Sequence, residues 1–208
     1  RSILLMALTA VRVALAQQVS TCAPSLRPDA VPAAVLAHLS APLAHNPFVG
    51  QNNPVKPVGA GGMCNATFYN VTTALRVWRV FHSHMPWTAK GSWWNLAEVQ
   101  APAITQFDKL DDVCANWDHG DVPDRVHSCH IAAGTPIAIG PGQSVNCTKN
   151  ESTVTHPQSA VLQVYVDPHA PTSPFVDCSG ARTYPAVPAR ARSADKAAII
   201  VASVAFAA

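Results

Sequence analysis

The chain is poor in charge. Only 12% of its 208 residues are Asp, Glu, Lys or Arg, and the formal net charge is +2. No long run of either sign occurs, which removes the case for nucleic acid or an anionic membrane surface as partner. Glutamate appears twice, at Glu98 and Glu151. There is no Cys-x-x-Cys pair, no His-Glu-x-x-His, no Gly-x-Ser-x-Gly and no Gly-Lys-Ser/Thr ending. These absences argue against zinc ligation, the zincin and nucleophile-elbow hydrolases and a nucleotide P-loop. Repeats and heptads are also missing. No apolar run reaches the roughly 20 residues of a membrane-spanning helix.

What is present points to an oxidising compartment. Arg1, the apolar run Ile3 to Ala16 and the small-x-small Ala14-Leu15-Ala16 read as a signal peptide over residues 1–16, with Gln17 as mature N-terminus. Four N-glycosylation sequons follow, at Asn65, Asn70, Asn146 and Asn150. The six cysteines, Cys22, Cys64, Cys114, Cys129, Cys147 and Cys178, imply three bridges drawn from 15 connectivities. Proximity in sequence favours Cys114–Cys129, which closes a loop worth roughly 3 kcal/mol in the chain-entropy model. Cys147–Cys178 and Cys22–Cys64 then complete the set. The expectation is a secreted, extracellular glycoprotein.

Composition divides the rest. Residues 17–62 form an Ala/Pro-rich arm, with a helix expected over Asp29–Leu43. Residues 63–180 form the compact domain, which fits a single core. Residues 181–208 form a Pro/Ala-rich linker and an apolar tail. The run Ala197 to Ala208 leaves a lipid-anchor signal and a disordered tail both open.

Strand signals dominate the compact part. Leu75 to Phe81 alternates, with Leu75, Val77, Arg79 and Phe81 on one face and Arg76, Trp78 and Val80 on the other. A short strand lies within Gly134 to Gly140, and Val161 to Val166 is the strongest β run. Helices are expected at Ser92–Val99 and Asp108–Ala115. The fold class is therefore α+β: one disulfide-stabilised domain with a mainly antiparallel sheet and few short helices.

Two polar residues stand out inside apolar strands. Arg79 lies between apolar neighbours, where a charge is costly unless paired. Gln163 sits mid-strand. An inward Arg can hold a diphosphate bidentately, and Trp93 and Trp94, after the Gly91-Ser92 turn, can flank a flat ring. The order Trp78-Arg79-Val80, Gly91-Ser92-Trp93-Trp94, Ala115-Asn116-Trp117-Asp118 and Gln163-Val164-Tyr165-Val166 resembles ADP-ribosyltransferase-like toxin domains. These include secreted fungal NAD glycohydrolases similar to the tuberculosis necrotizing toxin. The resemblance covers Thr72 to Val166. It implies that Arg79 contacts the NAD phosphates, Gln163 sits at the nicotinamide ribose, and Trp93 or Trp94 contacts a ring. No Glu-x-Glu or Gln-x-Glu pair exists, so it implies hydrolysis of NAD and not transfer to protein arginine. The Gly-rich run of the family is replaced by His156-Pro157-Gln158-Ser159-Ala160.

Other readings stay open. A non-catalytic secreted effector or surface binding module would use the Trp-rich middle against a host or cell-surface protein. A small secreted nuclease would use paired histidines such as His82 and His130. His82-Ser83-His84 also has the spacing of a metal pair, although surface histidines are the plainer account. Asp108, Asp111, Asp112, Asp118, Asp121 and Asp124 could hold calcium, but lack EF-hand spacing. Neither a metal site nor a resident cofactor is expected, with NAD entering as substrate.

Overall fold

The computed structural model describes residues 20–48, 50–98, 114, 123–149 and 152–183. The expected leader, the residues beyond Thr183, Asn150 and every member of the aspartate cluster except Asp124 lie outside these residues. So does the helix expected at Asp108–Ala115, apart from Cys114.

The described chain is mainly antiparallel sheet. Ten strands are β1 (Thr67–Asn70), β2 (Leu75–Phe81), β3 (Trp93–Asn95), β4 (Arg125–Ile131), β5 (Pro136–Gly142), β6 (Val145–Lys149), β7 (Ser152–His156), β8 (Ser159–Tyr165), β9 (Phe175–Val176) and β10 (Arg182–Thr183). Eight of them form one sheet in the order β1-β5-β8-β3-β2-β4-β10, with β9 also pairing β4, while β6 and β7 form a separate hairpin pair. Every strand pairing is antiparallel. One α-helix, α1 (Ala33–Leu36), and two 3₁₀ turns, Gly50–Asn52 and Pro86–Ala89, complete it. The expected α+β class is what the chain adopts.

The helical expectations were too generous. Pro32 starts α1, but no side chain caps it, and a single turn is unstable without packing. Within three residues Leu39 is drawn against Val71, and Ser40 N–H donates to the Asn70 carbonyl. The segment expected to be helical from Ser92 contains β3, wedged between β2 and β8. Its two tryptophans bury on opposite sides of the sheet, an arrangement only a strand's period of two permits.

The sheet separates two apolar clusters. On one face Leu75, Val77, Trp94, Ile131, Ile137, Ile139 and Val164 pack together. On the other, Phe68, Ala138 and Tyr165 pack with Met63 and with Phe48 of the N-terminal segment. The Phe48 and Tyr165 rings meet edge-on at 4.9 Å. The segment over residues 20–62 is thus woven into the sheet. Thr21 N–H donates to the Cys64 carbonyl and Leu43 N–H to the Phe68 carbonyl.

The bridges are Cys22–Cys64, Cys114–Cys147 and Cys129–Cys178. The first is as expected; the other two correct the expected Cys114–Cys129 and Cys147–Cys178. Strand pairing, not loop length, chooses the partners. After β9 the chain runs on along the edge of β4 that faces away from β2, bringing Cys178 beside Cys129 with Cα atoms 4.0 Å apart. Cys147, on the separate β6–β7 hairpin, is left for Cys114.

Candidate functional site: a polar row across the Gln163 face

Cross-strand register decides which side chains meet. Gly140, Gln163, Asn95, Trp78 and Ser128 are successive direct partners across β5, β8, β3, β2 and β4. Direct partners in antiparallel strands project to the same face, so these five share one face. Arg76, two residues before Trp78, joins them. Strand spacing puts Gln163 and Trp78 about 10 Å apart, and Gln163 and Arg76 about 12 Å apart on the diagonal.

Arg79 is one residue from Trp78 and therefore stands on the opposite face. There Nε donates to the Thr88 carbonyl and Nη1 to the Trp93 carbonyl, while the guanidinium carbon lies 5.9 Å from the centre of the Trp94 ring. Gly91 leaves room for it, because a Cβ at residue 91 would press on the guanidinium. The residues expected to form one site are thus split. Arg79 and Trp94 lie on one side; Gln163 and Trp93 lie on the other. Trp94 is 1% exposed, donates its indole N–H to the Gly91 carbonyl at 2.7 Å, and stacks on His127 at 5.4 Å. It is a core residue in this arrangement. Trp93 packs edge-on against Tyr165 at 4.9 Å and is half-buried.

Gln163 is 1% exposed, an amide deep in the sheet. The chain crosses directly over its neighbour Gly140: the Asn65 carbonyl occupies the place a Cβ at residue 140 would need. Only glycine admits that approach. Asn95 and Trp78 are half-buried, and Arg76 is exposed. Arg76 Nε and Nη2 both donate to Ser128 Oγ at 3.1 Å, and its guanidinium carbon lies 4.4 Å from the Trp78 ring centre. The floor therefore runs from a buried amide, past a second amide and an indole, to a fixed cation. Sequence reasoning missed Asn95 and Arg76. The alternation in β2 already separated Arg76 from Arg79, but which of them shares a face with Gln163 depends on β3 lying between β2 and β8.

The other groups assort separately. Among the described residues no three of His, Cys, Asp and Glu are placed to hold a metal ion. His82 and His84 have ring centres 5.2 Å apart. His130 pairs with Arg76 in register, so six residues of strand, about 20 Å, separate it from His82. That distance rules out one acid–base pair for a nuclease. His127 is buried, and its Nε2 faces the Ala89 carbonyl at 2.7 Å. A carbonyl only accepts, so Nε2 carries the proton. Burial lowers the His127 pKa, and the Arg79 and Lys90 charges lower it further against the opposing Ala89 bond. Burial pulls the Asp124 carboxyl upward, but hydrogen bonds from Ser83 and the Arg125 charge bring it below its usual range. An open groove of about 520 Å3 lies elsewhere, between Leu26, Arg27 and Val58 and the side of Gln158.

No protein-family model and no curated protein matches the chain. Among solved structures, that of Tne2 in complex with Tni2 aligns with 62% of this chain and 98% of its own, at 11% identity and a TM-score of 0.41. A likeness at that level assigns neither activity nor partner. Among the described residues no helix is long and apolar enough to cross a membrane, and three disulfides are the chemistry of an oxidising, extracellular setting.

Proposed function

We propose that the chain is a secreted glycoprotein that hydrolyses NAD at the nicotinamide–ribose bond, on an ADP-ribosyltransferase-like sheet. The observation that supports this reading is the polar row on one face, from buried Gln163 through Asn95 and Trp78 to Arg76. Its span of about 12 Å suits a dinucleotide. Asn95, half-buried, would meet the nicotinamide ribose or orient the attacking water, with the buried Gln163 amide behind it holding the row in place. Arg76, instead of Arg79, would take the diphosphate. The glycosidic bond would break through an oxocarbenium-like state, water would add at the ribose carbon, and nicotinamide would leave. Side-chain amides can stabilise that charge without changing protonation. The resemblance of the sequence motifs supplies the reaction type.

Secretion and glycosylation belong to the same proposal. Asn65, Asn70 and Asn146 are all exposed, as acceptors must be. The binding-module reading is less favoured because Trp94 is core and Trp93 is packed against Tyr165. The deciding test is nicotinamide release by the purified glycoprotein incubated with NAD. Release that falls at least a hundredfold in Gln163→Ala supports the hydrolase. No release from the wild type, or equal release from the variant, sinks it.

A further inference from the structure

We infer that the N-glycan of Asn146 folds back into the open groove beside Leu26, Val58 and Pro157, where its first N-acetylglucosamine units bridge the N-terminal segment to the β6–β7 hairpin. The inference rests on the reading of the chain as a glycoprotein and is independent of NAD hydrolysis.

Asn146 lies in β6 at the end of the groove. On one side its N–H donates to the Gly59 carbonyl at 2.9 Å, and on the other its direct partner is Thr155 of β7. Each neighbour leads into the groove wall: Val58 adjoins Gly59, and Pro157 follows Thr155 by two residues. Ser144, two residues before Asn146, also lines the groove, and its Oγ accepts the Gly59 N–H at 3.0 Å. Alternation along the extended chain puts Ser144 and Asn146 on one side and Cys147, with its bridge to Cys114, on the other. The cysteine inside the sequon therefore directs its bridge away from the groove.

The Asn146 amide is held in place for a substituent. Its Oδ1 accepts from Thr155 Oγ1 at 2.8 Å, and Nδ2 faces Gly59, 2.5 Å from where a Cβ at residue 59 would stand. Only glycine, here at φ +84°, leaves that nitrogen room. The donor is a lipid-diphosphate-linked oligosaccharide. Its anomeric carbon bonds to Nδ2, Nδ2 loses one proton, and the lipid diphosphate leaves.

The groove, about 520 Å3 and open among the described residues, has the size of a small-ligand site. Polar groups on its floor are engaged with one another: Gln158 Nε2 donates to the Thr21 carbonyl and to Gln143 Oε1, and Ser144 Oγ donates to Gln143 Oε1. What the walls offer is carbon, with Val58 72% exposed, and at the side the exposed Ser25 hydroxyl and Arg27 guanidinium. That mixture suits a pyranose ring. Its C–H face would bury apolar surface, while its hydroxyls and acetamide carbonyl accept from Ser25 and Arg27. Attachment at the end of the groove makes the contact intramolecular, so weak sugar–protein contacts suffice.

The test uses the full chain secreted from a eukaryotic host. Glycans are released enzymatically from the native protein, and the peptides carrying each sequon are followed by mass spectrometry. Sugar should leave Asn146 at least tenfold more slowly than it leaves Asn65 and Asn70, and Val58→Ser should remove most of that difference. Thr148→Ala abolishes the sequon but keeps the Asn146–Thr155 bond. Exchange of the Leu26 N–H, bonded to the Ala23 carbonyl, should then become several-fold faster, with exchange in β2 and β4 unchanged. A bare Asn146 on a protein that carries sugar at Asn65 and Asn70 overturns the inference and leaves the glycoprotein reading standing. No sugar at any sequon removes both. Equal release from all three asparagines, or Leu26 exchange that is the same in Thr148→Ala, also overturns it, the latter by showing that this glycan does not cover the groove.

Discussion

Arg79 and Gln163 stand on opposite faces of one sheet. Trp78, Asn95 and Gln163 are direct partners across β2, β3 and β8, and Arg79 follows Trp78. A dinucleotide lying on one face cannot touch both. The two arginines of β2 therefore have different tasks, and substitution should tell them apart.

Arg79→Ala should lower stability without abolishing a reaction on the Gln163 face. Its guanidinium ties the Thr88 carbonyl of the β2–β3 connection and the Trp93 carbonyl of β3 to β2. Charged hydrogen bonds of this kind contribute about 1.5–3 kcal/mol each. Urea unfolding should show a loss of about 3 kcal/mol, while nicotinamide release per folded molecule stays within a few-fold of wild type. Arg76→Ala should show the reverse: a small change in unfolding midpoint and a large rise in KM for NAD. If Arg79→Ala folds normally and is inactive, the assignment of faces to roles is wrong.

Asn95 tests whether the row acts as a unit. It lies between Gln163 and Trp78 in register and is half-buried. Removing one preorganised donor from a site where charge develops costs about 10²–10³ in kcat. Asn95→Ala should thus reduce kcat for nicotinamide release by roughly that factor. Asn95→Asp adds a carboxylate that could stabilise the oxocarbenium and should recover part of the rate. An Asn95→Ala enzyme with unchanged kcat would confine the chemistry to Gln163.

Much of this was legible in the chain, and the rest for definable reasons was not. Alternation located β2 over Leu75–Phe81, residue for residue, and placed a strand over Val161 to Val166 close to β8. Alternation also separated Arg76 from Arg79. It could not say which face of β2 matches which face of β8, because that depends on a third strand. That strand, β3, falls in a segment expected to be helical, and its three residues are too few to display a period. The disulfides failed likewise: Cys129 and Cys178 meet only because the segment after β9 follows the edge of β4.

Acid should weaken the fold through His127. Burial and the Arg79 and Lys90 charges hold its pKa below the ordinary value. An unfolded chain takes up this proton near pH 6.5; the folded chain takes it up only at lower pH. Between those values the unfolded state binds more protons, so stability falls as pH drops. Above about pH 7 the group makes no difference. Urea midpoints at pH 7.5 and pH 5.5 should show a smaller loss in His127→Phe than in wild type. Asp124, lowered from 3.8, acts in a separate window below pH 4. An equal pH-dependent loss in both proteins would remove His127 from the account.

The N-terminal segment offers the last test, because a bridge and an amide hold it by different means. Cys22–Cys64 closes 42 residues, which restricts the unfolded chain by about 4 kcal/mol in the entropy model. Gln143 acts on the native state instead. It is fully buried, donates to Thr21 Oγ1 at 2.7 Å and to the Lys56 carbonyl at 2.9 Å, and accepts from Gln158 Nε2 at 2.7 Å. Gln158 in turn reaches the Thr21 carbonyl and the Ala23 N–H. Gln143→Leu keeps the volume but strands these partners, at about 1 kcal/mol or more apiece, so a loss of about 3 kcal/mol is expected. The bridge still tethers residue 22, so the segment should loosen without leaving. Hydrogen exchange at the Thr21 N–H, bonded to the Cys64 carbonyl, should speed up in Gln143→Leu well before exchange in β2 and β4. Equal acceleration everywhere would mean that the amide network belongs to the global core, and that the N-terminal segment has no separate stability of its own.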